Sequence, residues 1–373
     1  MSITPKAAYA ETLQTPDADY TRDAARRLDV SPSGTENHKQ AHETGDPVVT
    51  FFKWRMTRPQ RRWLVAGLVL VFLVVALLLV FIAIVPAVMQ HYVHAVDLSL
   101  NYLDVQSIPS ASTLHVELSL TVHHDVALSV TTEDTPVFLH YDGHEFGSIV
   151  MPGLDLHTGE QKYNLTVTGL LTLSNLDVFN VLAKELVEDR VLSLEATATF
   201  KAHTMGLTYG GLDLERTLEL HGLNLFRDPR PKIESINWFG CSHETYEMDI
   251  NVTLTNPSSM GLNGIGPLNL SLYYGDSYLG YAESLTPTLG LPRGESHQLF
   301  RATIPTASKT LKSMALGFLG GNASFSITGT NPYATLYTQF QEAIRTVNMT
   351  VVYTDGLAKL SLNKSCNLLS LLM

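Results

Sequence analysis

Between Leu64 and Val85 the chain runs for 22 residues without a charge, and no other stretch restricts its fold as tightly. At 1.5 Å of rise per residue such a helix is roughly 33 Å long, enough for a hydrocarbon core of ~30 Å. A buried core helix is shorter and keeps a polar face, whereas this one is apolar all round. A cleaved signal peptide does not fit either, because the run is too long, starts past residue 60 and lacks a small-x-small cleavage pattern. The sequence therefore predicts a transmembrane helix over residues 63–88.

The flanks set its orientation. Lys53, Arg55, Arg58, Arg61 and Arg62 crowd the N-terminal side, while residues 89–96 carry only His91 and His94. Positive flanks stay in the cytosol, so residues 1–62 are expected there and residues 89–373 in a lumen or outside the cell, a single-pass type II arrangement. Trp63 and Tyr92 stand where interfacial aromatic anchors belong. Glycosylation sequons begin at Asn164, Asn251, Asn269, Asn322, Asn348 and Asn363, all beyond the helix, which agrees with that orientation.

The net charge of −11 is uneven. Past the helix 15 basic residues face 28 acidic ones, which argues against nucleic acid or anionic lipid as a partner of this part. It also holds 12 of the 14 histidines, whose ordinary pKa of ~6.5 would bring its net charge close to zero in an acidic organelle. Both cysteines, Cys241 and Cys366, lie there too, where disulfides persist. A bridge between them would stabilise by at most ~5 kcal/mol on the chain-entropy model; two buried free thiols are the alternative. Neither has a metal-ligand neighbour at zinc spacing.

Residues 1 to about 50 are rich in Ser, Thr, Pro, Asp, Glu and Ala and cannot bury enough surface to offset ordering entropy, so a disordered tail is expected. Beyond the helix the pattern switches to period two. VDLSLNYLDV (96–105), TLHVELSLTV (113–122), YNLTVTGLLTL (163–173), VLSLEATATF (191–200) and LDLERTLEL (212–220) alternate as half-buried strands do. A second set follows in YEMDINVTLT (246–255), PLNLSLYY (267–274), HQLFRATI (297–304), NASFSITG (322–329) and NMTVVYT (348–354). Short strands with turn signals about every ten residues imply sandwiches or barrels, and some 285 residues is long for one such core. Two β-sandwich domains are expected, over residues 92–228 and 229–373.

An internal repeat supports the division. Residues 121–161 lie over 255–296 with Tyr141 on Tyr274 and Gly147 on Gly280. Each copy continues into a helical interruption, expected at 175–190 with Asn175 or Ser174 as N-cap, and at 308–320, with a further helix at 334–347.

With these residues in place the chain resembles a known family. The stretches FGSIVMPGLDLHTGEQKYNLTVTGLLTL, LEATATFKAH and GLDLERTLELHGLN (within 146–224) look like fungal vacuolar-membrane proteins of the autophagy-termination type, with repeated immunoglobulin-like lumenal domains. INVTLTNPSSMGL (250–262) and YYGDSYLGYAE (273–283) are similar to the wider late-embryogenesis-abundant, water-stress-type domain. Where the second copy has Asn256-Pro257, the first has His123-His124. The resemblance implies a mainly β fold of two tandem sandwiches, each with a short helical insertion, on the vacuolar or lysosomal membrane, with the plasma membrane second. It brings no catalytic residue.

Enzyme signatures are not apparent. Many Golgi transferases share the type II layout, but the only Asp-x-Asp here is Asp17-Ala-Asp19, in the expected cytosolic tail. There is no Gly-x-Ser-x-Gly elbow, no His-Glu-x-x-His and no phosphate loop, and GLNGIGP (261–267) lacks the strand and helix of a dinucleotide fingerprint. His123, His124, His140 and His144 could converge as a metal site, though exposed strand histidines are the simpler reading. No cofactor is expected. The favoured function is a non-enzymatic membrane-anchored interaction or scaffold module with protein partners on both sides and a role in vacuolar or autophagy regulation; the alternative is a module holding a lipid or other hydrophobic ligand.

Overall fold

The computed structural model describes residues 49–51, 54–56, 58–286, 290–307, 310–356, 359–363 and 366. The expected disordered tail, Lys53 and the Asp17-Ala-Asp19 triplet lie outside the described residues, as do the side chains of Arg55 and Arg58. These residues form two compact units, 1–71 and 72–373. In the first, β1 (Val49–Phe51) and β2 (Trp54–Met56) pair as a short antiparallel hairpin.

Among the described residues one helical rod, Pro59–Ala95, is long and apolar enough to cross a membrane. It begins as α1 (Arg58–Leu79), passes through a single π-type stretch at Val80–Ile84, and ends as α2 (Val85–Ala95). Pro86 explains the interruption. A proline inside a helix lacks an N–H and its ring collides with the carbonyl four residues back, so the backbone widens; here the Val85 N–H reaches the Val80 carbonyl. The described side chains of α1 are exposed apart from the half-buried Ala76, whereas Met89 of α2 is buried.

The chain then turns to strands. β3 (Asp97–Ser110) and β4 (Thr113–Val126) form a long hairpin, followed by β5 (Val130–Thr132), β6 (Thr135–Tyr141), β7 (His144–Met151) and β8 (Asp155–Leu156). β9 (Gly159–Leu173) pairs with β4 over their whole length, and β10 (Val191–Thr204) and β11 (Leu207–His221) make a second long hairpin. Between them α3 (Leu176–Glu188) starts at Asn175, whose side-chain oxygen accepts from the Asp177 and Val178 amides at 3.2 and 3.3 Å. Together these strands make one sheet in the order β3-β4-β9-β7-β6-β10-β5-β8, with β11 beside β10.

The remaining strands build a second sheet. β12 (Lys232–Cys241) and β13 (Thr245–Asn256) open it, and β14 (Met260–Gly261) leaves it to pair in parallel with Leu103 and Asp104 at the edge of the first. β15 (Asn269–Tyr274), β16 (Ser277–Ser284), β17 (Gly294–Pro305), β18 (Ala323–Thr328), β19 (Asn348–Tyr353) and β20 (Leu360–Leu362) complete it. Alternation is clean: every second residue of β17 from Ser296 to Ile304 is buried. α4 (Leu311–Leu319) lies between β17 and β18. The helix expected over 334–347 is shorter, a 3-10 turn at Thr338–Phe340 leading into α5 (Gln341–Thr346). Leu336 is exposed, while Phe340, Ile344 and Val347 are buried.

The repeat is visible in contacts. Tyr141 donates its hydroxyl to Glu185 of α3, and its counterpart Tyr274 donates to the Ser313 carbonyl of α4, so each copy tethers its helix with the same residue. Gly147 and Gly280 match as well, since a Cβ on either would sit 2.6 or 2.2 Å from a carbonyl of the neighbouring strand, Thr172 or Thr303. A disulfide joins Cys241 at the end of β12 to Cys366, with Cα atoms 5.3 Å apart. Arg293 holds Asp104 of β3 by two bonds of 2.6 and 2.8 Å and stacks over Tyr102, which ties the loop before β17 to the first sheet.

Candidate functional site

Two hydrophobic clusters occupy the second unit instead of one. The large cluster runs through both sheets; the small one gathers Met89 of α2 with Val126, Val130, Leu156, Ala202 and Leu212, and Tyr92, Val93, Tyr163 and Phe200 pack against it. Between them lies a cavity of about 120 Å³ whose wall draws on both. Its origin can be traced along β10. Leu192, Leu194, Ala196, Ala198, Phe200 and Ala202 point inward, and Ala196 and Ala202, which line the cavity, leave space where leucines would fill it. The opposing wall is Leu118, Leu120 and Val122 of β4, with Ile149 and Met151 of β7.

Besides the Tyr92 phenol, two polar residues, Thr132 and Arg216, join that wall. The Thr132 hydroxyl oxygen accepts from the Leu154 amide at 2.8 Å. Arg216 turns its guanidinium onto the C-terminal carbonyls of α2, reaching Val93 at 3.0 Å, His94 at 2.9 Å and Val96 at 2.7 Å. A cation at the negative end of a helix is favourable and satisfies carbonyls left without helical partners. What the cavity offers a ligand is therefore almost entirely hydrocarbon, with few polar groups to hold water.

α2 is fixed over this space by a second polar contact. The side-chain amide of Gln90 donates to the Asp213 carbonyl at 2.7 Å and accepts from the Asp213 amide at 3.1 Å, so it pairs with β11 as another strand would. Gln90 and Arg216 carry no sequence motif; the available signals were a glutamine following an apolar run and a lone arginine inside the alternating stretch LDLERTLEL.

The residues singled out from sequence lie elsewhere. Asn164, Asn322, Asn348 and Asn363 are exposed, whereas Asn251 and Asn269 are half-buried, and the Asn269 side-chain oxygen is enclosed without a partner. The four histidines do not converge. His123 meets Glu160 at 3.3 Å, His140 meets Thr197 at 3.0 Å, and His144 bonds the Asp142 carbonyl at 2.8 Å. Among the described residues no three His, Cys, Asp or Glu side chains gather as a metal site. His124 differs from the others. It is 1% exposed, neither ring nitrogen has a partner, and Tyr163 packs edge-on at 6.1 Å between centroids. Burial first, then the neighbouring His123, holds its pKa below the ordinary value.

Residues 144–272 match the model of a family described as protein of unknown function (DUF3712). This stretch begins at β7 in the cavity wall and ends in β15. No curated protein matches the chain. Among solved structures, a protein from Archaeoglobus fulgidus is 7% identical, with 33% of this chain and 92% of that one covered and a TM-score of 0.21. A Salmonella enterica SafA pilin in complex with the SafB chaperone gives 11% identity, coverage of 69% and 95%, and a TM-score of 0.18. A bacterial adhesin from Mobiluncus mulieris gives 6%, 66% and 82%, and 0.17. Scores of this size do not define a shared fold.

Proposed function

We propose that this chain is a non-enzymatic, single-pass membrane protein whose β-rich unit holds an apolar ligand, the acyl chain of a bilayer lipid, in the cavity beneath α2. The observation that carries the reading is the continuity of the cavity's wall with the membrane helix. With Leu64–Ile84 in the hydrocarbon, Met89 stands about 7 Å beyond it and Val93 about 13 Å, which is headgroup depth. Met89, Tyr92 and Val93 line the cavity. A chain leaving the bilayer at that level would meet hydrocarbon walls within a few ångströms.

The energetics point the same way. A void of 120 Å³ costs on the order of 3 kcal/mol relative to a filled core, a large part of a total stability of ~5–15 kcal/mol. An engineered apolar cavity of about 150 Å³ in another protein stays dry and takes up benzene, so this one suits a short run of methylenes or a chain end.

The five cations before the helix and the exposed sequons past it favour residues 89–373 on the lumenal or external side, and the family resemblance favours the vacuolar or lysosomal membrane over the plasma membrane. The interaction-module reading has its own support in Phe138, Val150 and Leu170, large apolar residues exposed on strands β6, β7 and β9. Mass spectrometry of lipid co-purifying with the full chain separates the two readings: lipid retained by the native chain and lost from Ala196→Phe supports the ligand, and equal lipid in both removes it.

A further inference from the structure

Beside the cavity wall, β4 carries an enclosed histidine. His124 sits on β4 between Val122 and Val126, on the same inward face. Val122 and Val126 both line the cavity, and Val126 belongs to the small cluster under α2. The ring is enclosed, its two nitrogens have no partner, and Tyr163 of β9 covers it edge-on. Neutral, the ring leaves a buried donor and a buried acceptor unsatisfied, which is already unfavourable. Protonated, it would place a charge with two N–H donors in the same apolar setting, a heavier penalty that is relieved by moving the ring into water.

Its surroundings do not neutralise that charge. On β4 itself the flanking groups are His123 and Asp125; on β9 they are Glu160, Lys162 and Tyr163, with Gln161 directly opposite; on β3 Asp97 pairs with His123; at β8 stand Asp155 and His157; and α2 brings Tyr92 against Val126. Glu160 is engaged by His123 and no carboxylate bonds the His124 ring. Relief therefore comes by separating the last residues of β4 from β9, which are the residues that carry Val122, Val126 and Tyr163.

We propose that His124 is a proton-operated latch on the cavity: acidification drives its ring outward, splays the β4–β9 end and opens the wall formed by Val122 and Val126. The opening is a structural claim about this strand end; that it releases a ligand rests on the acyl-chain reading above. The sign is fixed by linkage. With the folded-state pKa below the unfolded value of ~6.5, the open form binds the extra proton, so closure is complete above that pH and weakens as pH falls through ~6.5.

The test is hydrogen exchange on the full chain in phosphatidylcholine nanodiscs between about pH 7.5 and about pH 5.5, corrected for intrinsic rates, with a fluorescent long-chain fatty acid as cavity probe. Protection over residues 118–126 and 159–167 should fall by up to about tenfold per pH unit below ~6.5, the limit for one proton. In His124→Leu it should stay flat, with His123 and His157 still present as internal controls; His124→Gln, which also cannot titrate, serves if the leucine variant does not fold. Native protection that ignores pH, or non-titrating variants that keep the native response, would overturn the latch. Probe bound equally at both pH values with flat protection rejects the latch and leaves the ligand reading standing. Protection that responds while no probe binds at any pH does the reverse.

Discussion

The two halves of the β-rich unit are built from one repeat and filled differently. In the second, Trp238, Phe318, Phe325 and Tyr353 are each at most 1% exposed and meet in edge-to-face or tilted pairs 5.6 to 5.9 Å apart. Aromatic rings supply the bulk that closes the space over α4. In the first, the corresponding interior is lined mainly by leucine, valine and alanine, with Tyr92 and Phe200 as its aromatic residues, α3 packs away toward α5 through the Phe179–Phe340 pair at 5.5 Å, and the space under α2 remains open. The same hairpin, tyrosine tether and close-packed glycine thus support either a solid core or a cavity. Side-chain volume and the position of the inserted helix decide which.

That contrast can be broken most forcefully at Trp238. Trp238→Ala should lower stability by about 3–5 kcal/mol in chemical denaturation, because the solid half cannot close around the loss. Removing the bridge with Cys241→Ser should cost about 2–4 kcal/mol, read as a lower unfolding midpoint and as equal stability of native and variant under reductant. The sharpest comparison uses one chemical change at two sites. Ala315→Leu, in the filled half, should destabilise by about 1–3 kcal/mol, whereas Ala196→Leu, in the cavity wall, should be neutral or stabilise by up to about 1 kcal/mol while displacing ligand. Equal losses at both sites would mean that the first half has no usable space. Gln90→Leu should cost about 1 kcal/mol, seen as faster exchange at the Asp213 amide.

Much of the architecture was legible in the sequence because it follows from local periodicity. The uncharged run fixed the apolar helix, strict alternation fixed strands such as β17, and a single asparagine capped α3 where expected. The disulfide was one of two readings for the cysteines, and the fold chose it by bringing the end of β12 next to the C-terminal segment. Helix length was less legible. Leu336 and Phe340, four residues apart, would share one face of a continuous helix, but the backbone turns through a 3-10 segment between Thr338 and Phe340 and leaves Leu336 in solvent. The cavity was not legible at all. An alanine at 196 looks the same in sequence whether a neighbour fills the space beside it or nothing does, and the partners that decide this come from strands scattered between residues 98 and 218. His124 was noticed as one of four histidines; that it alone is enclosed depends on Tyr163, nearly forty residues away.

The central claim is that lipid hydrocarbon enters the first half from the bilayer. Photo-crosslinking addresses it directly, using the full chain in nanodiscs doped with a phospholipid carrying a diazirine near the end of its acyl chain. Adducts on β4 between Leu118 and Val126 and on β7 at Ile149 and Met151, suppressed in Ala196→Phe, are the predicted result. Adducts confined to the helix between Leu64 and Val88, unchanged by that substitution, would contradict it.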